Sequence, residues 1–328
     1  MSEPYAGADG LVRVYPAREP NGTGLVWVHG GAFAFGELDM PESDWVAREL
    51  AARGTTVVAV DYRLAPVPEG WEDAARPARG EHHYPAASDD VLAAWSWTVD
   101  NAARLRIAPE RLALGGASAG GNLAAGATLR LLEAGLSTLP ALVILAYPTL
   151  LAVQPAPDPA LRAALDANPD ADRFGPAVVR AMYANYLGTP LDGGFDGAPL
   201  GAIPGLATPG EVAGFPPTLI VNSDVDELRV SAEAFAATLR DAGRPVEVVA
   251  EPGTHHGHLN RPQEAAASVT LARFEARLAS LLPATPTVRH ASGPQSLSAP
   301  EAAPDPQNVT AERRADPLRS RETRAATP

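Results

Sequence analysis

The sequence predicts an α/β fold, a mostly parallel central sheet with helices on both faces, and three observations predict it. Short β-branched runs alternate with alanine-rich stretches at helical spacing from Leu11 to Leu282. The runs are continuously apolar, as strands buried on both faces are, rather than alternating apolar with polar. No fixed-period repeat interrupts them, so one domain is the economical organisation.

In chain order, strands are expected at Leu11–Tyr15, Leu25–Val28, Thr55–Tyr62, Leu112–Leu114, Leu142–Tyr147, Thr218–Val221 and Val246–Val249. Helices are expected at Asp44–Arg53, Ala87–Leu105, Asn122–Ala134, Val230–Ala242 and Gln263–Leu281, where apolar residues recur every three or four positions. Two segments break the alternation. Pro66–Pro85 is a long polar loop, and Leu151–Pro217 is longer, rich in Gly and Pro, with a helix expected at Pro176–Leu187. Loops of this length in a compact domain are usually functional, and in an open α/β sheet they lie near the carboxyl ends of the strands, where ligands bind.

The last segment, 283–328, has no aromatic residue, many prolines and few large apolar side chains. It cannot bury enough apolar surface to offset its ordering entropy, so it is expected to be a disordered tail following a domain at 1–282.

Composition excludes several function classes. Hydrophobic residues make up 46% of the chain and charged residues 20%, as in soluble globular proteins. No apolar run is long enough to span a bilayer. The polar opening Met1–Gly10 is not followed by the apolar stretch of a secretory signal, so a cytoplasmic location is expected. The absence of cysteine removes disulfides, thiolate metal sites and cysteine nucleophiles. Every basic residue is arginine, which removes lysine Schiff-base chemistry and the lysine of a phosphate-binding loop. A formal charge of -13 argues against nucleic acid or an anionic membrane as partner.

The strongest local signal is Gly116-Ala117-Ser118-Ala119-Gly120, between an expected strand and an expected helix. This is G-x-S-x-G in the strand–turn–helix setting of a nucleophile elbow, where only small flanking residues let strand and helix approach. The helix N-terminus behind the serine favours developing negative charge. A dinucleotide loop is excluded, because Ala117 stands where that motif needs a glycine after Gly115.

A second signal, His29-Gly30-Gly31-Ala32-Phe33, follows the strand Leu25–Val28. Acyl transfer passes through an oxyanion that needs preorganised donors. The N–H groups of Gly31, Ala32 and Ala119 can supply three, with Gly30 counted in the same oxyanion hole. His29 is expected to hold the loop rather than to act as base.

A serine nucleophile needs a base, and the base an orienting acid. In the chain order Ser, Asp, His of this class, each follows a later strand. Asp224, Asp226 and Glu227 follow Thr218–Val221, and His255, His256 and His258 follow Val246–Val249. The order and spacing fit, but each loop offers competitors. The three clustered histidines also raise a metal site, which the adjacency of His255 and His256 disfavours, since neighbouring side chains diverge. His82 and His83 form another pair, expected on a surface loop.

Together these residues resemble the hormone-sensitive-lipase-like family of α/β-hydrolases, the bacterial esterases with an HGG oxyanion loop. Five motifs in order carry the resemblance: His29–Phe33, Asp61-Tyr62-Arg63-Leu64-Ala65-Pro66, Gly116–Asn122, Asp226-Glu227-Leu228 and Gly253-Thr254-His255-His256-Gly257. It implies that Asp226 is the acid, since the family's acid opens a D-P-L stretch, and that His256, before Gly257, is the base. It implies a serine carboxylesterase in which Ser118 attacks small acyl esters, with an acyl-enzyme intermediate and neither metal nor cofactor. An amidase or lactonase would use the same triad, and a non-catalytic small-molecule binder on this fold would lack one of its members. A homodimer is left open. Arg63 is expected to be structural, ion-paired with a carboxylate. The chain departs from the family pattern at Ala117, Ala32, Glu227 and His258, where aspartate, glycine, proline and phenylalanine are common. His29 also lies closer to Met1 than in typical members, so the N-terminal helical lid is expected to be largely absent. Residues 151–217 are then the remaining cover over an open pocket.

Overall fold

The computed structural model describes residues 3–282 apart from 69, 72–79, 137, 172–173 and 192. The tail expected at 283–328 therefore lies outside the described residues, as does the middle of the loop expected at Pro66–Pro85.

Eight strands form one sheet: β1 (Tyr5–Gly7), β2 (Val12–Tyr15), β3 (Gly24–Val28), β4 (Thr56–Val60), β5 (Leu112–Ala117), β6 (Leu142–Ala146), β7 (Thr218–Val225) and β8 (Val246–His255). Their order is β1-β2-β4-β3-β5-β6-β7-β8. β1 and β2 pair antiparallel with each other, β2 pairs antiparallel with β4, and every other pairing is parallel. The helices are α1 (Asp44–Ala52), α2 (Ala86–Asp100), α3 (Ala102–Leu105), α4 (Ala119–Glu133), α5 (Pro159–Ala167), α6 (Pro176–Leu187), α7 (Arg229–Asp241) and α8 (Ala265–Ala279). Among the described residues no helix is long and apolar enough to cross a membrane.

The two-residue period of the strands divides the core. Val26, Val28, Leu114, Val143 and Leu145 face α2, α4 and α7, whose Val91, Leu123 and Phe235 cover them. Leu25, Trp27, Ala113 and Ile144 face α1 and α8, meeting Val46, Leu50, Leu271 and Phe274. Central strands with both faces covered have no polar face to show, which is why their sequences read as unbroken apolar runs.

Differences from the sequence expectation have local causes. β5 runs three residues beyond Leu114, because Gly115 and Gly116 lend no apolar signal yet pair with Trp27 and Val28 of β3. The helix expected at Ala87–Leu105 breaks into α2 and α3 at Asn101, whose side-chain amide donates to the Trp97 carbonyl (2.8 Å). The unforeseen α5 is short, but Asp158 caps it by accepting the Leu161 N–H (2.8 Å), with Pro159 opening the first turn. β1 was hidden in the polar opening because it is a three-residue edge strand with no buried residue. Ahead of β3 the described residues form β1, β2 and a short 3-10 turn.

Candidate active site

All the loops that carry candidate residues leave the carboxyl ends of parallel strands. The oxyanion turn follows β3, the serine follows β5, the acid follows β7 and the histidine follows β8. Ser118 stands between β5 and α4 with φ 53° and ψ -116°, a conformation that side chains normally avoid. Its neighbours must be small for a steric reason. A Cβ on Gly116 would fall on the Gly120 carbonyl, and one on Gly120 on the carbonyls of Val28 and His29. The strained turn holds the hydroxyl above the sheet edge, at the start of α4.

Ser118 Oγ lies 3.0 Å from His256 Nε2, and His256 Nδ1 lies 2.7 Å from Asp226 Oδ2. A carboxylate only accepts, so Nδ1–H donates to Asp226 and Nε2 is left to accept the serine proton. Asp226 is 1% exposed, and its second oxygen accepts the Leu228 N–H (3.0 Å). Phe174, from the segment expected as cover, packs edge-on against His256 with ring centroids 4.5 Å apart, and Tyr147 does so at 5.1 Å. The imidazole thus packs against two aromatic rings and is oriented by a buried acid.

The competing residues are engaged elsewhere. Asp224 accepts the Gly253 N–H (3.1 Å) and is approached by Arg229. His258 is buried, with Nδ1 on Ser223 Oγ and Nε2 on Thr270 Oγ1, both at 2.9 Å. Burial, then the nearby charges of Arg261 and His256, lower its pKa to about 4, while Asp226 opposes them. Both ring nitrogens of His256 and of His258 are therefore used within the protein. His83 Nδ1 pairs with the Asn185 carbonyl (2.7 Å). Arg63 forks onto Asp90 as expected, with Nη2 to Oδ1 at 2.8 Å and Nε to Oδ2 at 2.9 Å.

The oxyanion turn needs one correction. Gly30 does not offer its N–H to the site, because that N–H donates to the buried carboxylate of Glu42 (2.7 Å). What Gly30 supplies is close approach, since a Cβ there would lie 3.0 Å from Ser118 Cβ. Among the described residues the N–H groups of Gly31 and Ala32 meet no acceptor, and Ala119, opening α4, has none within its helix. Gly31 has φ 122° and a Cβ on it would fall on the Phe35 carbonyl, so glycine is required. Ala32 adopts φ 51°, a left-handed conformation in which a side chain costs about 1 kcal/mol. His29 is fully buried, stacked on Tyr62 with centroids 4.4 Å apart, and it holds the loop.

A family model described as alpha/beta hydrolase fold matches residues 25–260. The chain is an α/β-hydrolase of this family. Its motifs, read from the oxyanion turn to the histidine loop, are those of the hormone-sensitive-lipase-like branch. Carboxylesterase NlhH of Mycobacterium tuberculosis is 34% identical over 268 residues, 79% of this chain and 76% of that protein. Ethyl acetate hydrolase of Pseudomonas putida is 30% identical over 259 residues, covering 75% and 70% respectively. Among solved structures, EstE1, a thermophilic carboxylesterase cloned from a metagenomic library, superposes with a TM-score of 0.67. It is 26% identical, with 86% of this chain and 88% of that chain covered.

Three residues of the hydrolase site escaped sequence reasoning. Glu42 and Tyr147 carry no motif, and Phe174 lies in a segment without strong periodicity. Glu227, where proline is common, links the Asp226 loop to the segment expected as cover. Its Oε1 meets Arg162 of α5 at 3.2 Å.

Proposed function

We propose that this α/β-hydrolase is a carboxylesterase acting on small acyl esters through Ser118, His256 and Asp226. The observation that carries the reading is the unbroken hydrogen-bonded line from Ser118 Oγ to His256 (3.0 Å) to Asp226 (2.7 Å). The esterase names of the relatives support the ester as substrate class.

In the reaction, Ser118 Oγ attacks the acyl carbon as His256 Nε2 takes its proton. The carbonyl oxygen, now an oxyanion, is received by the N–H groups of Gly31, Ala32 and Ala119. The C–O bond to the alcohol then breaks, and His256 returns the proton to the leaving oxygen. A water molecule repeats the sequence on the acyl-enzyme, with His256 as base, and frees the acid and Ser118. Asp226 keeps Nδ1 protonated and stabilises the imidazolium. Every step uses groups of the chain and water.

A fluorophosphonate probe should label Ser118 stoichiometrically and abolish hydrolysis of p-nitrophenyl acetate. Ser118→Ala should remove both labelling and turnover, and His256→Ala should lower kcat by roughly 10⁶-fold. Asp226→Asn should lower it by about 10³- to 10⁴-fold, whereas Asp224→Ala should stay within about twofold. Folded wild-type protein that neither labels nor turns over aryl esters would overturn the reading. Preferential cleavage of anilides or lactones would replace the ester by those substrates.

A further inference from the structure

We propose that Glu42 is a positioning residue for the hydrolytic reaction, its buried carboxylate holding the oxyanion turn and the wall of the catalytic imidazole in a single register. The inference rests on the carboxylesterase reading of the site and adds to it a group that no motif marks.

Glu42 lies between the oxyanion turn and α1 and is 2% exposed. Its Oε1 accepts the Gly30 N–H (2.7 Å). Its Oε2 accepts the Tyr147 hydroxyl (2.8 Å) and the Asn260 side-chain amide (3.0 Å). The backbone of Glu42 is tied into the same places, its N–H donating to Asn260 Oδ1 (3.2 Å) and its carbonyl accepting from Trp27 Nε1 (2.8 Å). A buried carboxylate ordinarily needs a cation beside it. Among the described residues none forms an ion pair with Glu42, and neutral dipoles satisfy it instead. Tyr147 stays an O–H donor, because burial and the charge of Glu42 raise its pKa well above the usual phenol value.

The donors arrive from three elements of the site. Gly30 begins the turn whose next two N–H groups, those of Gly31 and Ala32, meet no acceptor among the described residues. Tyr147, after β6, presents its ring edge-on to both His256 (5.1 Å) and His258 (5.0 Å). Asn260 closes the loop that starts at Gly257, one residue past the imidazole. The Tyr62 hydroxyl fixes the turn from its other side, donating to the His29 carbonyl (3.1 Å). One carboxylate therefore sets the distance between the donors that receive the oxyanion and the ring that moves the proton. Such spacing must be held within about half an ångström for a preorganised site to act. A group used this way influences the transition state, where charge develops, more than substrate binding.

The test uses the full chain, p-nitrophenyl acetate, and an aryl trifluoromethyl ketone, whose adduct with Ser118 puts an oxyanion in the hole. Glu42→Gln keeps the shape but offers one acceptor oxygen where two oxygens serve three donors. It should lower kcat about 10- to 100-fold with KM within about threefold, and weaken the ketone by the same factor as kcat. Glu42→Ala should lose more, with partial recovery in Glu42→Asp. Tyr147→Phe, which leaves the Gly30 bond in place, should lose less than Glu42→Gln. Melting curves for each variant separate these effects from unfolding, and Glu42→Gln and Glu42→Asp carry the test if Glu42→Ala does not fold. A Glu42→Gln enzyme with kcat within threefold of wild type overturns the assignment. A loss of kcat without matching weakening of the ketone overturns it as well. Wild-type protein inactive on every ester fails differently, because it overturns the carboxylesterase reading beneath it.

Discussion

At the scale of single residues, environment separates side chains that the sequence presents as equals. Asp224 and Asp226 are two residues apart on one loop, yet one accepts Gly253 N–H near solvent while the other is sealed beneath His256. His256 and His258 divide in the same way, because the strand end and the αL turn at Gly257 (φ 74°) send the second ring into the core. His258 should make stability depend on pH. Its pKa is lowered to about 4 from 6.5, so between those values the unfolded chain binds a proton that the folded chain does not. Stability should therefore fall as pH drops from about 6.5 to 4, by up to about 3 kcal/mol, and level off below. Urea unfolding at pH 7 and pH 4.5 checks this, and His258→Phe should flatten the dependence. An unchanged slope in that variant would show that other groups govern the acid limb.

At the scale of elements, the β5–Ser118–α4 turn is the part most constrained by packing. Gly120 lets α4 approach β3 until its Cβ position would coincide with the Val28 and His29 carbonyls. Gly120→Ala should force strand and helix apart, with a loss of about 1–3 kcal/mol in urea unfolding. A larger proportional loss of turnover should accompany it, because the same displacement moves Ser118 and Ala119. The G-x-S-x-G spacing made this turn legible, since sterics allow few sequences there. The tripartite grip of Glu42 was not legible, because it depends on partners distant in sequence, Gly30, Tyr147 and Asn260, whereas the short α5 carried only its local cap of Asp158 and Pro159.

At the scale of the molecule, the parallel sheet gathers at one edge residues that span positions 29 to 260. We propose that the reaction is housed within 1–282, so a chain ending after Leu282 should retain kcat and KM for p-nitrophenyl acetate within about twofold. A loss beyond tenfold would bring 283–328 into the function. The amino-acid order alone determined the fold class, the strand–helix alternation, the small-residue turn at Ser118 and the loops that carry Asp226 and His256. These rest on short-range properties: buried strands must be apolar, amphipathic helices must repeat near 3.6, and tight turns must be small. Tertiary structure alone decided that the Gly30 N–H is taken by Glu42, and that Phe174 and Tyr147 pack against the imidazole. Those outcomes follow from which donors and acceptors meet in a buried space. No local pattern encodes that, because the meeting partners are brought together only when the strands assemble into the sheet.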